Sequence, residues 1–125
     1  MLSRDNKITP YIKKIIEGKP IALATIRENG KPHVIVVTCY KVIGKNRILL
    51  CDSYMKTTLE NIFKNNNVAL VGWNEHYEGY EFWGRCKYFK KGRWLKICQN
   101  LKSKKGLPCK GAILIRVNKI TRSKK

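Results

Sequence analysis

Between Ile48 and Val71 the chain runs through Ile-Leu-Leu-Cys, a polar loop, a one-face helix, three asparagines and Val-Ala-Leu-Val. Short apolar runs with β character at Ile48–Cys51 and Val68–Val71 read as buried strands. Between them Leu59, Ile62 and Phe63 fall at i, i+3 and i+4, so a brief helix can bury one face. Thr57 with Glu60 three residues on fits a capping box, which sets the helix start at the end of the polar loop. A helix N-terminus is thereby aimed out of a strand end, with Lys56 just before it. Free backbone N–H groups, partial positive charge and a lysine together can hold an anion such as a phosphate. The same residues also describe an ordinary capped helix beside a solvated lysine, and these residues alone leave both open.

The flanking sequence supplies the remaining elements. Thr9 caps a first helix with Pro10 at its first position, Tyr11, Ile12, Ile15 and Ile16 form its apolar stripe, and Gly18 stops it. Ile21, Leu23 and Thr25 alternate with small residues in a strand over 20–27. Asn29-Gly30 predicts a two-residue type I′ turn into a long second strand from Pro32 to Ile43. Gly79–Phe89 is an aromatic strand in which Gly84 allows a kink or a close backbone approach. Trp94, Leu95, Cys98 and Leu101 suggest an amphipathic helix, Gly111–Ile120 a last buried strand, and residues 121–125 a frayed basic tail. The expected architecture is mainly β with α: one domain over 1–125, a six-stranded antiparallel β-barrel with short flanking helices.

The charge of +19 is unevenly placed: every acid lies at or before Glu81, so the chain from Phe82 on carries only basic charges. Such a field attracts phosphorylated small molecules, nucleic acid or anionic surfaces. Tyr80, Phe82, Trp83, Tyr88 and Phe89, interleaved with basic residues, keep a nucleic-acid-binding reading open, although alternate residues of a strand face opposite sides. No apolar run is long enough to span a membrane, and Met1–Lys7 lacks the apolar core of a signal peptide. The five cysteines form no Cys-x-x-Cys pair, and His33 and His76 stand alone. A reducing, cytoplasmic setting and no metal site are therefore expected. No nucleophile triad, carboxylate pair or P-loop can be assembled, so no catalytic side chain is assigned and any enzymatic reaction rests on a cofactor.

Four segments, by their order and spacing, resemble the FMN-binding split-barrel proteins of the pyridoxamine 5′-phosphate oxidase-like family. They are Ala22–Thr25 with Asn29–Val34, Asp52–Ile62, Asn65–Leu70 and Glu78–Gly84. The resemblance implies a split barrel with FMN at a homodimer interface, in a small oxidoreductase or electron carrier. By the matching positions, Lys56 would neutralise the phosphate, with Thr57 and Thr58 donating to it. Val36, Val37 and Thr38 would line the flavin ring, and Asp52 and Ser53 would shape the ribityl side. Where family members place a basic residue before threonine this chain has Thr57-Thr58, with its lysine one place earlier. Val36 and Val37 read equally well as core; Trp83 and Arg85, reaching in from a second subunit, are further candidates, though Trp83 reads better as core. Relatives that bind a deazaflavin or haem keep those cofactors as alternatives. Pyridoxamine-phosphate oxidation itself is not expected, because those enzymes carry a further C-terminal segment with basic substrate-binding residues.

Overall fold

The structure, a computed structural model, describes residues 6–123. The elements run α1 (Pro10–Ile16), β1 (Ile21–Ile26), β2 (Pro32–Val37), β3 (Tyr40–Ile43), β4 (Arg47–Asp52), α2 (Thr57–Lys64), β5 (Asn67–Trp73), β6 (Gly79–Phe89), α3 (Arg93–Gln99), a 3-10 turn at Lys102–Lys104, and β7 (Gly111–Ser123). All strand pairings are antiparallel, in the order β2-β1-β5-β6-β7-β4-β3.

The described residues form seven strands where the sequence suggests six. The apolar run from Pro32 to Ile43 changes partner in its middle: residues 32–37 pair with β1, and residues 40–43 pair with β4. Only Thr38 and Cys39 separate β2 from β3, yet these strands occupy opposite edges of the sheet. The sheet must therefore curl until its edges approach, which makes the half-barrel. Cys51 N–H donates to the Cys39 carbonyl at 3.0 Å and holds the switch closed.

The first hairpin also departs from expectation. Asn29 is not in the left-handed region; Gly30 alone is, at φ 87°. Gly30 N–H donates to Arg27 O and Arg27 N–H to Lys31 O, each at 2.8 Å. Together these describe a three-residue loop, a turn followed by a glycine bulge, rather than the two-residue type I′ turn. Thr9 caps α1 as expected, accepting from Ile12 N–H at 3.2 Å. At Gly84 the register shifts by one residue, and a Cβ there would press into the Arg116 carbonyl, so this is a close-approach glycine. The expected frayed tail is strand as far as Ser123, which pairs with Gly79; Lys124 and Lys125, like residues 1–5, lie outside the described residues.

The curled face is filled by Ile21, Leu23, Ile48, Leu50, Leu70, Phe82, Ile113, Ile115 and Val117, all fully buried. Each such apolar side chain contributes about 1.5–3 kcal/mol of transfer free energy. A smaller cluster lies on the other face of β4 and β7, beneath α3: Cys39, Leu49, Cys51, Cys98 and Ala112, with Trp94 and Ile97 against it. Two-sided burial explains why β4 is a continuous apolar run.

Tyr40, at the start of β3, places its hydroxyl 2.6 Å from both the Ile16 and Lys19 carbonyls and so ties α1 to the sheet. Burial pushes this phenol up to about 12, from an ordinary 10. A raised folded-state value contributes stability that is complete below pH 10 and is lost as pH rises toward 12. Tyr40→Phe should cost about 1–3 kcal/mol at neutral pH, because the buried carbonyls lose their donor. It should also flatten the alkaline decline of the unfolding midpoint. Parallel declines in both proteins would refute this assignment.

Candidate functional site

The loop between β4 and α2 is built on Asp52. Its side chain is fully buried, and Oδ1 accepts the Met55 N–H at 2.8 Å, which folds the loop back on itself. Oδ2 accepts from the Tyr88 hydroxyl at 2.6 Å and the Lys110 ammonium at 2.7 Å. Burial, then the bond to Asp52, raises the Tyr88 phenol well above its usual range. α2 itself is pinned by Asn61, whose Nδ2 donates to the buried Thr25 hydroxyl at 2.9 Å.

With the loop fixed, α2 starts at Thr57 and its N-cap is Lys56. The expected Thr57–Glu60 capping box does not form: Thr57 is already the first helical residue, and the Lys56 side chain at the N-cap makes no capping bond. The first intrahelical bond runs from Glu60 N–H to Lys56 O at 3.1 Å, so the N–H groups before Glu60 have no acceptor within the helix. Phe63, expected on the buried face, is instead largely exposed and meets Tyr88 edge-on at 5.6 Å; Leu59 and Ile62 turn inward.

These uncapped donors open onto a cleft of about 450 Å³ between the helix start and the end of β2. Seven of the eight residues singled out in the sequence line it: Val36, Val37, Thr38, Ser53, Lys56, Thr57 and Thr58. Asp52 is the exception, lying beneath the loop that it braces. Val36 is 69% exposed while Val37 points into the core, so adjacent residues of one edge strand give the cleft both a wall and an anchor. The sequence reading missed Ile35, Tyr54, Met55 and Leu107, which also line it. Leu107 comes from the α3–β7 connection, distant in sequence. His33, at the rim, accepts at Nδ1 from an Arg27 guanidinium nitrogen 3.0 Å away. Among the described residues no carboxylate lines the cleft, so an anion would meet a lysine, hydroxyls and free N–H groups without like-charge repulsion.

The floor holds Cys39 and Cys51, whose sulfurs are 2.7 Å apart. Burial pushes the Cys39 thiol up to about 11; hydrogen bonding with Cys98, then burial, raises Cys51 further. Cys98 and Cys109 stand behind them, so four of the five cysteines are neighbours, although no spacing in the sequence brings them together. Phe82 is buried in the core, so the β6 aromatics do not share one surface for stacking bases. Among the described residues no helix is long and apolar enough to cross a membrane.

The family model for pyridoxamine 5′-phosphate oxidase matches residues 8–123. The uncharacterized protein MJ0282 of Methanocaldococcus jannaschii is 33% identical over 118 residues, covering 91% of this chain and 79% of that protein. Among solved structures, HupZ of Group A Streptococcus superposes with a TM-score of 0.84 at 18% identity, covering 93% of this chain and 94% of that one. An FMN-binding protein of Syntrophomonas wolfei subsp. wolfei gives 0.73 at 16% identity, with 99% and 87% covered. At these identities the two structures establish a shared fold.

Proposed function

The chain belongs to the pyridoxamine 5′-phosphate oxidase family, and from that premise we propose that it is an FMN-binding flavoprotein, a small oxidoreductase or electron carrier with its flavin at a homodimer interface. The observation that carries this reading is the acid-free cleft, with an uncapped helix start and Lys56 on one side and an edge strand on the other. The donor set fits a phosphorylated flavin. Lys56 and the N–H groups of Thr57 and Thr58 hold the phosphate. Among the described residues β2 has no neighbour on its outer side, so the backbone of Val36–Thr38 can bond a polar ring edge while Val36 packs on the ring. Bound there, FMN supplies hydride or electron transfer, and the protein orients it and excludes water.

The dimer follows from the same strand. Val34 and Val36 are 64% and 69% exposed on β2, and Val36 also lines the cleft. A second copy covering this strip would wall the cleft at the same time.

Gel filtration of the purified chain with added FMN, read by absorption across the visible range, tests both points. A dimer that elutes with the two-band spectrum of an oxidised flavin is the expected result. Colourless protein that lets FMN pass would remove the flavoprotein assignment. A haem or deazaflavin spectrum in the purified protein would move the same cleft to that cofactor.

A further inference from the structure

We propose that Cys51, Cys98 and Cys109, with Cys39 as fourth donor, form a thiolate site for one Zn²⁺-type cation. The sulfurs of Cys51, Cys98 and Cys109 all lie within 4.8 Å of one another. Cys39 Sγ adjoins them, 2.7 Å from Cys51 Sγ. Around a tetrahedral zinc with Zn–S bonds of about 2.3 Å, neighbouring sulfurs stand about 3.8 Å apart. The three-thiol group is compatible with that spacing already, and the Cys39 sulfur, beside Cys51 but outside the three-way group, would move away from Cys51 and toward Cys98 and Cys109 to take the fourth vertex.

The donors are all sulfur, and among the described residues no imidazole or free carboxylate joins the group; Asp52, beside Cys51, is already committed to Tyr88, Lys110 and the Met55 N–H. Such a set selects a soft or borderline cation and rejects magnesium or calcium. Four thiolates around a divalent cation leave a double negative charge. The turn at Lys102–Lys104 and then Lys105 and Lys110 flank Cys109, and no acid follows Glu81 anywhere in the chain. That basic run is suited to an anionic cluster.

The donors also come from three separate places: the β2–β3 switch with the end of β4 beside it, the end of α3, and the irregular stretch before β7. Most backbone bonds of that stretch are local to it, and only the Lys110 N–H reaches back, to Asp52 O at 2.9 Å. A metal crosslink through Cys109 would tie this stretch, and with it Leu107 on the cleft wall, to the sheet.

The test uses the full-length, tag-free chain, purified without oxygen or chelator from cells supplied with zinc. Its metal content is measured, and Co²⁺ is then exchanged in. About one metal per chain is expected, with the thiolate-to-cobalt charge-transfer absorption and the ligand-field bands of a tetrahedral site. Cys109→Ser, half-buried on an irregular stretch, and Cys98→Ser should lose the metal and the bands. Cys86→Ser, in the other core cluster, should keep both, with circular dichroism confirming that each variant folds. Three results would overturn the site. They are a reduced chain that takes up no cobalt, cobalt bound equally by Cys98→Ser, and a mass two hydrogens light that maps to a Cys39–Cys51 disulfide. None of these readouts depends on flavin.

Discussion

Asp52→Ala lowers the unfolding free energy by about 2–5 kcal/mol, the cost of leaving two part-buried donors without their acceptor. The carboxylate is fully buried and accepts three bonds, from Met55 N–H, the Tyr88 hydroxyl and the Lys110 ammonium. Alanine leaves the first two donors unmet in a low-dielectric setting, which is the expensive half of the change. Lys110 is about half exposed, at 47%, and regains water, so its share is small. Asp52→Asn keeps an acceptor in place and should cost roughly half as much. Urea unfolding followed by circular dichroism gives both values. A second route into the same network exists at Gly111, where any Cβ would collide with the Tyr88 ring and push the hydroxyl off Asp52. Gly111→Ala and Asp52→Ala should therefore be strongly non-additive. A loss below about 1 kcal/mol for Asp52→Ala would mean that loop and helix are held by other contacts.

That network shows where sequence reasoning reaches and where it stops. Period-two burial in β1, the Thr9 cap and the close approach at Gly84 are local, and each is legible from its own residues. The break at Thr38-Cys39 is not, because an apolar strand looks the same whichever neighbour it bonds; the partner change belongs to the curl of the whole sheet. Thr57 failed as a cap for a related reason. The Asp52–Met55 bond closes the loop early enough that Thr57 is already helical. Asp52 itself read as a cofactor contact, since a strand-end acid carries no mark of the tyrosine and lysine that reach it from β6 and from just before β7. The cysteines were treated as isolated small hydrophobes because long spacings separate them, and only the packing of α3 on β4 gathers them. Seven of the eight chosen cleft residues did converge, because six of them stand in two short segments, 36–38 and 56–58, which the half-barrel sets face to face.

Charge reversal at Lys56 is expected to abolish retention of FMN: affinity falls about 10-fold in Lys56→Ala and at least about 100-fold in Lys56→Glu. The first figure corresponds to losing one charge-assisted hydrogen bond at an exposed site, the second to adding a like charge beside the phosphate. Both losses should shrink as salt is raised, since Lys56 lies in solvent. The chain's +19 charge supplies a competing explanation, in which any lost lysine weakens any anion. Two controls separate local from global electrostatics. Lys96→Glu, exposed on α3 and away from the cleft lining, makes the same change in net charge and should cost little. Riboflavin, which has the ring and ribityl chain but no phosphate, should bind the wild type and Lys56→Glu almost equally. Fluorescence titration with the two flavins measures all of this. Equal losses for FMN and riboflavin would mean that Lys56 shapes the cleft rather than meeting the phosphate. Equal losses in Lys56→Glu and Lys96→Glu would reduce the helix start to one patch of a generally basic surface. If FMN alone is lost, and only at Lys56, the uncapped first turn of α2 is where the phosphate sits, and the missing capping box is explained, because its donors are kept for the ligand.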